Sequence, residues 1–149
     1  MTTGIELVRP PALSASAPYA YAAVTDPGRM VFTAGACPLD ADGATVAVGD
    51  VAGQARQVMD NLATALEAAG AGLDDVLKTT VYGATADRAD LLAGWEVVRE
   101  AFGEHAAPST LVGVTVLGYP DQLVEVEAVA VRDSWQEPGP PDAAATLDE

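Results

Sequence analysis

Residues 50–82 read DVAGQARQVMDNLATALEAAGAGLDDVLKTTVY, and this stretch decides the fold because a helix pattern and a strand pattern follow each other in it. Asp50 is a residue type that caps helices, and apolar residues then recur at three- and four-residue steps. Gly70 and Gly72 end that pattern. Residues 76–82 are rich in β-branched side chains, which favours a strand. The stretch therefore predicts a helix over about residues 50–69 followed by a strand.

Strand patterns precede this stretch. Residues 5–8 are short and apolar, and a loop rich in proline and serine follows them. Residues 19–25 and 29–34 are separated by Asp26-Pro27-Gly28, a turn sequence. This spacing predicts that the two segments pair as a hairpin.

A second helix and two more strands follow it. The helix pattern begins near Asp87 and stops at Gly103. Residues 110–117 and 123–131 flank a Gly-Tyr-Pro-Asp turn sequence, which predicts a second hairpin. The complete order predicts an α+β fold in which two helices pack on one face of a mixed sheet. The other, largely apolar face is then uncovered, so we expect a cyclic homo-oligomer.

Composition sets the size and the class of partner. The 149 residues fit one domain, which we place at residues 1–136. Residues 137–149 are acidic and rich in proline, alanine and glycine, which predicts a disordered tail. Seven basic against 22 acidic residues give a net charge of −15, which disfavours both nucleic acid and an acidic membrane surface as partners. With a single cysteine and no apolar run of membrane-spanning length, the chain is expected in the cytoplasm.

Six stretches together resemble the Rid family, also called YjgF or L-PSP, of reactive-intermediate deaminases. They are Ala17-Pro18-Tyr19, Val31-Phe32-Thr33-Ala34-Gly35, residues 49–57, Asn61-Leu62, residues 70–81 and residues 123–130. The resemblance implies a chorismate-mutase-like homotrimer with clefts between adjacent subunits. It also implies hydrolysis of a small enamine or imine to a keto acid and ammonia, with no cofactor.

The same resemblance implies that Glu125 positions the attacking water. Two further roles are interpretations of residue type. Tyr19 would donate a hydrogen bond to a ligand carbonyl or amine, or else serve only in packing. Gly35 and the neighbouring Ala34 would present backbone N–H groups to a ligand oxygen. Alternation along residues 124–129 places Glu125 and Glu127 on one face of the last strand.

Three substrate-binding positions depart from the family pattern. Thr110 stands where an arginine is expected to hold the substrate carboxylate, Glu96 where an asparagine is expected, and Val112 where a cysteine is expected. A threonine hydroxyl is one neutral donor, whereas a guanidinium offers a charged, bidentate grip. We therefore expect an altered substrate choice unless another cation, such as Arg29 or Arg99, takes over.

Two further residues have simpler interpretations. Cys37 has no histidine beside it in the sequence and is interpreted as a small buried thiol. His105 follows the second helix and is expected to cap its end in solvent. One histidine and one cysteine do not make a closed transition-metal site, and the chain has no phosphate-binding glycine loop.

Three alternatives to the imine deaminase stay open. The same trimeric cleft could hydrolyse or cyclise a less acidic, specialised metabolite. The trimer could instead bind a small ligand, or act as a chaperone, without catalysis. A ribonuclease is the weakest alternative, because the net charge repels RNA and the chain has no pair of histidines for acid–base cleavage.

Overall fold

The structure is a computed structural model that describes residues 4–134. The elements in chain order are β1 (Ile5–Val8), β2 (Ala22–Thr25), β3 (Gly28–Phe32), α1 (Val51–Ala68), β4 (Val76–Gly83), α2 (Arg88–Phe102), β5 (Ser109–Gly113) and β6 (Val124–Ser134), with one 3-10 turn at Leu73–Asp75. The predicted order of strands and helices is confirmed. The tail predicted at residues 137–149 lies outside the described residues.

Both helices begin and end where the sequence predicts. The Asp50 carboxylate accepts a hydrogen bond from the Gly53 N–H at 3.0 Å, and the Asp87 carboxylate accepts one from the Ala89 N–H at 2.9 Å. α2 ends at Gly103, whose φ of 60° is a conformation that favours glycine.

Helices and sheet share one hydrophobic core. Val58, Leu62 and Leu66 of α1 are fully buried, as is Val98 of α2. They pack on the inward residues of β4 and β6, which are Val76, Val81, Val124, Val126, Ala128 and Ala130. Full burial of a leucine contributes about 1.5–3 kcal/mol, so this layer holds the helices on one face of the sheet. The α+β class is confirmed.

Both hairpin predictions are wrong, although the strands exist. β2 pairs with β1, and β3 pairs with β6. β5 is only five residues long and runs parallel to β4, not antiparallel to β6. The main sheet has the order β3-β6-β4-β5, so both edges of the long strand β6 are already occupied by β3 and β4. The free edge of β4 is left for β5, which arrives through the α2 crossover and is therefore parallel.

The His105 prediction is also wrong. Its Nε2 lies 2.7 Å from the carbonyl oxygen of Val76 at the start of β4, and the ring is half-buried. α2 has already ended at Gly103, so the histidine joins the chain after α2 to the sheet instead of capping the helix.

Candidate functional site

The sheet face that points away from the helices carries most of the predicted site. Cross-strand partners share a face, and the register pairs Tyr82 with Glu125 and Thr80 with Glu127. The residues placed on this face by the register are Phe32, Lys78, Thr80, Tyr82, Thr110, Val112, Glu125, Glu127 and Val129. Phe32 is 75% exposed. The face is thus uncovered in one chain and mixes apolar and charged groups.

Glu125 is held in one position over a glycine. A Cβ on Gly35 would come within 2.5 Å of the Glu125 carboxyl carbon, so only glycine leaves room for this carboxylate. Oε1 accepts a hydrogen bond from the Cys37 thiol at 3.0 Å and another from the Gln122 amide at 3.4 Å. The hydrogen bonds of residues 4–134 leave Oε2 without a donor, so this oxygen is available to a water or a ligand.

Helix α1 fixes the two loops that surround Glu125. The Asn61 side-chain amide donates to the carbonyl oxygens of Cys37 and Leu39 at 2.8 and 2.9 Å. The Gln54 amide, fully buried, donates to Asp121 O at 2.8 Å, and its oxygen accepts from the Leu123 N–H at 2.7 Å. These two residues lie within the stretches that carry the family resemblance, and their role is to position the loops.

Cys37 is part of the Glu125 cluster and is not only a packing residue. It is half-buried, and its thiol is the closest donor to Glu125. Burial, together with the hydrogen bond to Glu125 and the negative charge there, raises the pKa of the Cys37 thiol from 9.0 to about 11. The thiol therefore stays protonated near neutral pH, and it acts as a hydrogen-bond donor and not as a nucleophile.

Thr110 lies next to a cation. Its Oγ1 accepts a hydrogen bond from Lys78 Nζ at 2.7 Å, across the β4–β5 pair. Lys78 Nζ also donates to the Thr79 carbonyl oxygen at 3.2 Å. Burial lowers the pKa of Lys78 from its usual value of 10.5. The cation beside Thr110 is therefore this lysine, and neither of the arginines considered from the sequence.

A second carboxylate on the face is held differently. Glu127 Oε1 accepts a hydrogen bond from the Tyr82 hydroxyl at 2.7 Å. That bond, then burial, raises the pKa of Tyr82. Lys78, Glu127 and Phe32 line one shallow groove of about 210 Å³.

The other predicted site residues lie elsewhere in the chain. Tyr19 is half-buried and packs edge-on against Trp95 of α2, with ring centroids 6.3 Å apart, so it belongs to the helix side of the sheet. Glu96 is on the exposed surface of α2 and pairs with Arg99 at 3.0 Å. Ala34 is exposed in the loop before Gly35, and Val112 is exposed on β5 opposite Tyr82. One chain thus brings Gly35 and Glu125 together but not Tyr19 or Glu96.

Glu125 and the Lys78–Thr110 pair are also separated within one chain. Thr110 is on the edge strand β5, two strands away from Glu125 on β6. Lys78 is on β4 beside β6, but it is opposite Val129, four residues along β6 from Glu125. Two strand spacings are roughly 10 Å, and four residues along a strand are roughly 13 Å. The Glu125 carboxylate leans further away, toward Gly35 on the other side of β6. A small substrate therefore cannot reach both groups of the same chain.

Sequence reasoning missed Lys78 and Gln122 as site residues and described Cys37 too simply. The signal for Lys78 was present, because alternation along β4 puts it on the same face as Thr80 and Tyr82. Gln122 comes just before β6 and is buried, and nothing in its sequence context indicates that its amide reaches Glu125.

A comparison with known families identifies the class of protein. The family model described as Endoribonuclease L-PSP matches residues 10–132, and the chain belongs to that family. Solved members of the family also carry the name Rid. One of them, a Rid family protein from Yersinia pestis, superposes with a TM-score of 0.80 at 29% identity, covering 86% of this chain and 98% of that chain.

Curated relatives are more similar in sequence. A RutC family protein of Pyrococcus horikoshii is 38% identical over 113 residues, covering 76% of this chain and 87% of that protein. A 2-iminobutanoate/2-iminopropanoate deaminase of Salmonella typhimurium is 38% identical over 114 residues, covering 75% of this chain and 87% of that protein. The structure of TdcF of Escherichia coli with bound serine has a TM-score of 0.61 and 36% identity, covering 80% of this chain and 91% of that chain.

In residues 4–134, no three His, Cys, Asp or Glu side chains lie close enough together to hold a metal ion. No helix in this part of the chain is both long and apolar enough to cross a membrane.

Proposed function

We propose that this chain is a hydrolase of the Rid type that deaminates small imines or enamines, as the 2-iminobutanoate/2-iminopropanoate deaminases among its relatives are named to do. The observation that carries the proposal is the Glu125 carboxylate. One of its oxygens is fixed by Cys37 and Gln122, and the other has no hydrogen-bond donor among residues 4–134. A fixed carboxylate with one free oxygen is suited to orient and deprotonate a water.

The reaction needs only water as a second reactant. The reacting form is the iminium, whose nitrogen carries an extra proton. Glu125 Oε2 takes a proton from the water as the water oxygen bonds to the iminium carbon, and the electron pair of the carbon–nitrogen double bond moves to nitrogen, which becomes an amine. The proton held by Glu125 then goes to that amine. The carbon–nitrogen bond breaks, ammonia leaves with the bonding electron pair, and the carbonyl forms as the hydroxyl proton passes to Glu125. An enamine enters the same sequence after protonation of its terminal carbon gives the iminium.

We propose that the site is complete only in a homotrimer, in a cleft between adjacent subunits. The support is the separation of Glu125 from the Lys78–Thr110 pair, together with the exposed apolar groups on the sheet face, Phe32 and Val112. Sedimentation equilibrium at neutral pH should return about three times the chain mass of 15.2 kDa. A stable monomer at micromolar concentration would remove the cleft.

We expect the substrate choice to differ from that of relatives with an arginine at the Thr110 position. A pyridoxal-phosphate-dependent dehydratase can generate the imine in situ, and the keto acid is then detected with a coupled dehydrogenase. Acceleration of keto acid release by the wild-type chain, lost in Glu125→Gln, supports the proposal. A rate equal to the uncatalysed one, with retained binding of small carboxylates, would favour a non-catalytic ligand-binding trimer.

A further inference from the structure

We infer that Lys78 and Thr110 together form an anion-binding subsite, at which this chain holds the carboxylate of its substrate. The inference rests on the proposed function, because it assigns a specificity-determining role in the same cleft. It rests in the structure on the position of one ammonium group, on the donors that this group leaves free, and on the charges around it.

Lys78 is the only lysine of the chain, and its ammonium forms no ion pair with residues 4–134. The ion pairs found in residues 4–134 are Arg99–Glu96 and Arg132–Asp133, so no carboxylate in this part of the chain lies within 4.0 Å of Lys78 Nζ. The lysine is half-buried, and its hydrogen bonds within residues 4–134 go to neutral oxygens. A partly desolvated cation without a counter-ion is stabilised by an added anion.

The pair leaves two donors for such an anion. An ammonium has three N–H donors, and Lys78 uses two of them on Thr79 O and Thr110 Oγ1. Thr110 Oγ1 accepts the bond from Lys78, so its own hydroxyl proton is free to be donated. One charged N–H from β4 and one O–H from the neighbouring β5, whose heavy atoms are 2.7 Å apart, can bind the two oxygens of one carboxylate.

The neighbouring charges restrict the ligand to one anionic end. Glu127 lines the same groove as Lys78, and its Oε1 is already bound by the Tyr82 hydroxyl. A dianion would place a second negative charge close to Glu127, which is unfavourable. A small monocarboxylate whose other end is neutral or cationic, such as an imino or iminium acid, fits this arrangement.

A binding experiment separates this subsite from catalysis. Calorimetric titration of the full chain uses 2-oxobutanoate as the carboxylate probe and 2-oxobutanamide as the uncharged probe of the same shape. Lys78→Met should weaken 2-oxobutanoate binding by about tenfold or more and leave the amide unaffected, because a hydrogen bond to a charged group is lost. Thr110→Val, which keeps the side-chain shape, should weaken the same probe by a smaller factor. Lys78→Arg, which keeps the positive charge and its charged donors, should keep the affinity within about threefold.

The matched control is Arg99→Met, which removes the same charge from the α2 surface and should leave both affinities unchanged. Three results would overturn the inference: no measurable 2-oxobutanoate binding to the wild-type chain, equal binding by Lys78→Met, or an equal loss in Arg99→Met. Light scattering and circular dichroism report whether Lys78→Met keeps its assembly and fold. If Lys78→Met loses its assembly or fold, the affinities of the other two variants for 2-oxobutanoate decide. Retained affinity in Lys78→Arg together with weaker binding in Thr110→Val supports the subsite, and equal affinity in both variants contradicts it.

The two proposals fail in different ways. Glu125→Gln should still bind 2-oxobutanoate, and Lys78→Met should still weaken that binding in the Glu125→Gln background, since Lys78 and Thr110 are left in place. Keto acid binding that depends on Lys78, with no turnover by the wild-type chain, would remove the proposed function and keep the subsite. Turnover that depends on Glu125, together with 2-oxobutanoate binding that is unchanged in Lys78→Met, would support the proposed function and remove the subsite.

Discussion

Replacing Glu125 with glutamine changes the reacting oxygen and little else. In the wild type, Oε1 accepts the bonds from Cys37 and Gln122, and Oε2 is without a donor among residues 4–134. A glutamine amide can keep its oxygen at the Oε1 position, so both contacts remain. The new NH2 group replaces Oε2, the oxygen that takes the proton from water. We therefore expect the assembly and the fold of Glu125→Gln to match the wild type.

The loss in rate follows from the role of Oε2. General base catalysis by a positioned group contributes about 10²–10⁴-fold, which corresponds to about 2.7–5.4 kcal/mol of activation free energy. Because the two hydrogen bonds to Oε1 are kept, this loss should fall on kcat, with KM changing by less than about threefold.

Glu127→Gln is the matched control for this measurement. Glu127 lies two residues further along β6 on the same face, about 7 Å away, and its carboxylate is bound by Tyr82. The dehydratase-coupled assay, run on both variants at equal protein concentration, should give the larger loss for Glu125→Gln. Equal losses in the two variants, or an intact rate in Glu125→Gln, would refute the assignment of Glu125 as the base.

Three further predictions test the Thr110 position, the Cys37 thiol and the Gln54 side chain. Thr110→Arg should raise kcat/KM for 2-aminoacrylate by about tenfold, because a guanidinium adds a bidentate contact to the single charge of Lys78. An unchanged kcat/KM in the coupled assay would show that position 110 does not contact the substrate carboxylate. Because the pKa of Cys37 is about 11, its thiol should react with iodoacetamide at pH 8 about 100-fold more slowly than the same thiol in the chain unfolded by urea. Glu125→Gln should increase the labelling rate of the folded chain several-fold. Equal labelling rates for the folded and unfolded chain would contradict this prediction. Gln54→Leu should lower the free energy of unfolding, measured in urea, by about 2–4 kcal/mol at unchanged m-value, since it leaves buried backbone groups without hydrogen-bond partners. A change below about 0.5 kcal/mol would mean that water or a rearranged loop supplies the lost hydrogen bonds.

Local sequence signals predicted the elements but not their partners. Asp50, Asp87 and Gly103 set helix ends through contacts within a few residues, and those predictions are confirmed. Strand pairing depends on which edges are free once the whole sheet has formed. β6 has the longest strand pattern, and it pairs with β3 and β4, so turn sequences beside it do not decide its neighbours.

The same distinction applies to the candidate site. Alternation along β6 is a local signal, and it placed Glu125 and Glu127 on one face of the strand as the structure has them. The contact of Lys78 with Thr110 joins residues 32 positions apart and depends on the parallel register of β4 and β5. The absence of an arginine at position 110 was visible in the sequence, whereas the identity of the cation beside that position could be seen only in the folded sheet.

The separation of the two halves of the site leads to a test by complementation. In the proposed trimer, the cleft that receives Glu125 from one subunit receives Lys78 from a neighbour, so neither Glu125→Gln nor Lys78→Met alone has a complete cleft. Random mixing of the two variants in equal amounts, by co-refolding, should restore about a quarter of the clefts, because each of the two groups is intact in about half of the subunits that supply it. The coupled assay should then give about a quarter of the wild-type activity, well above that of either variant. If both groups served a cleft from the same chain, no mixture could rebuild a complete site, and activity would stay at the mean of the two variants.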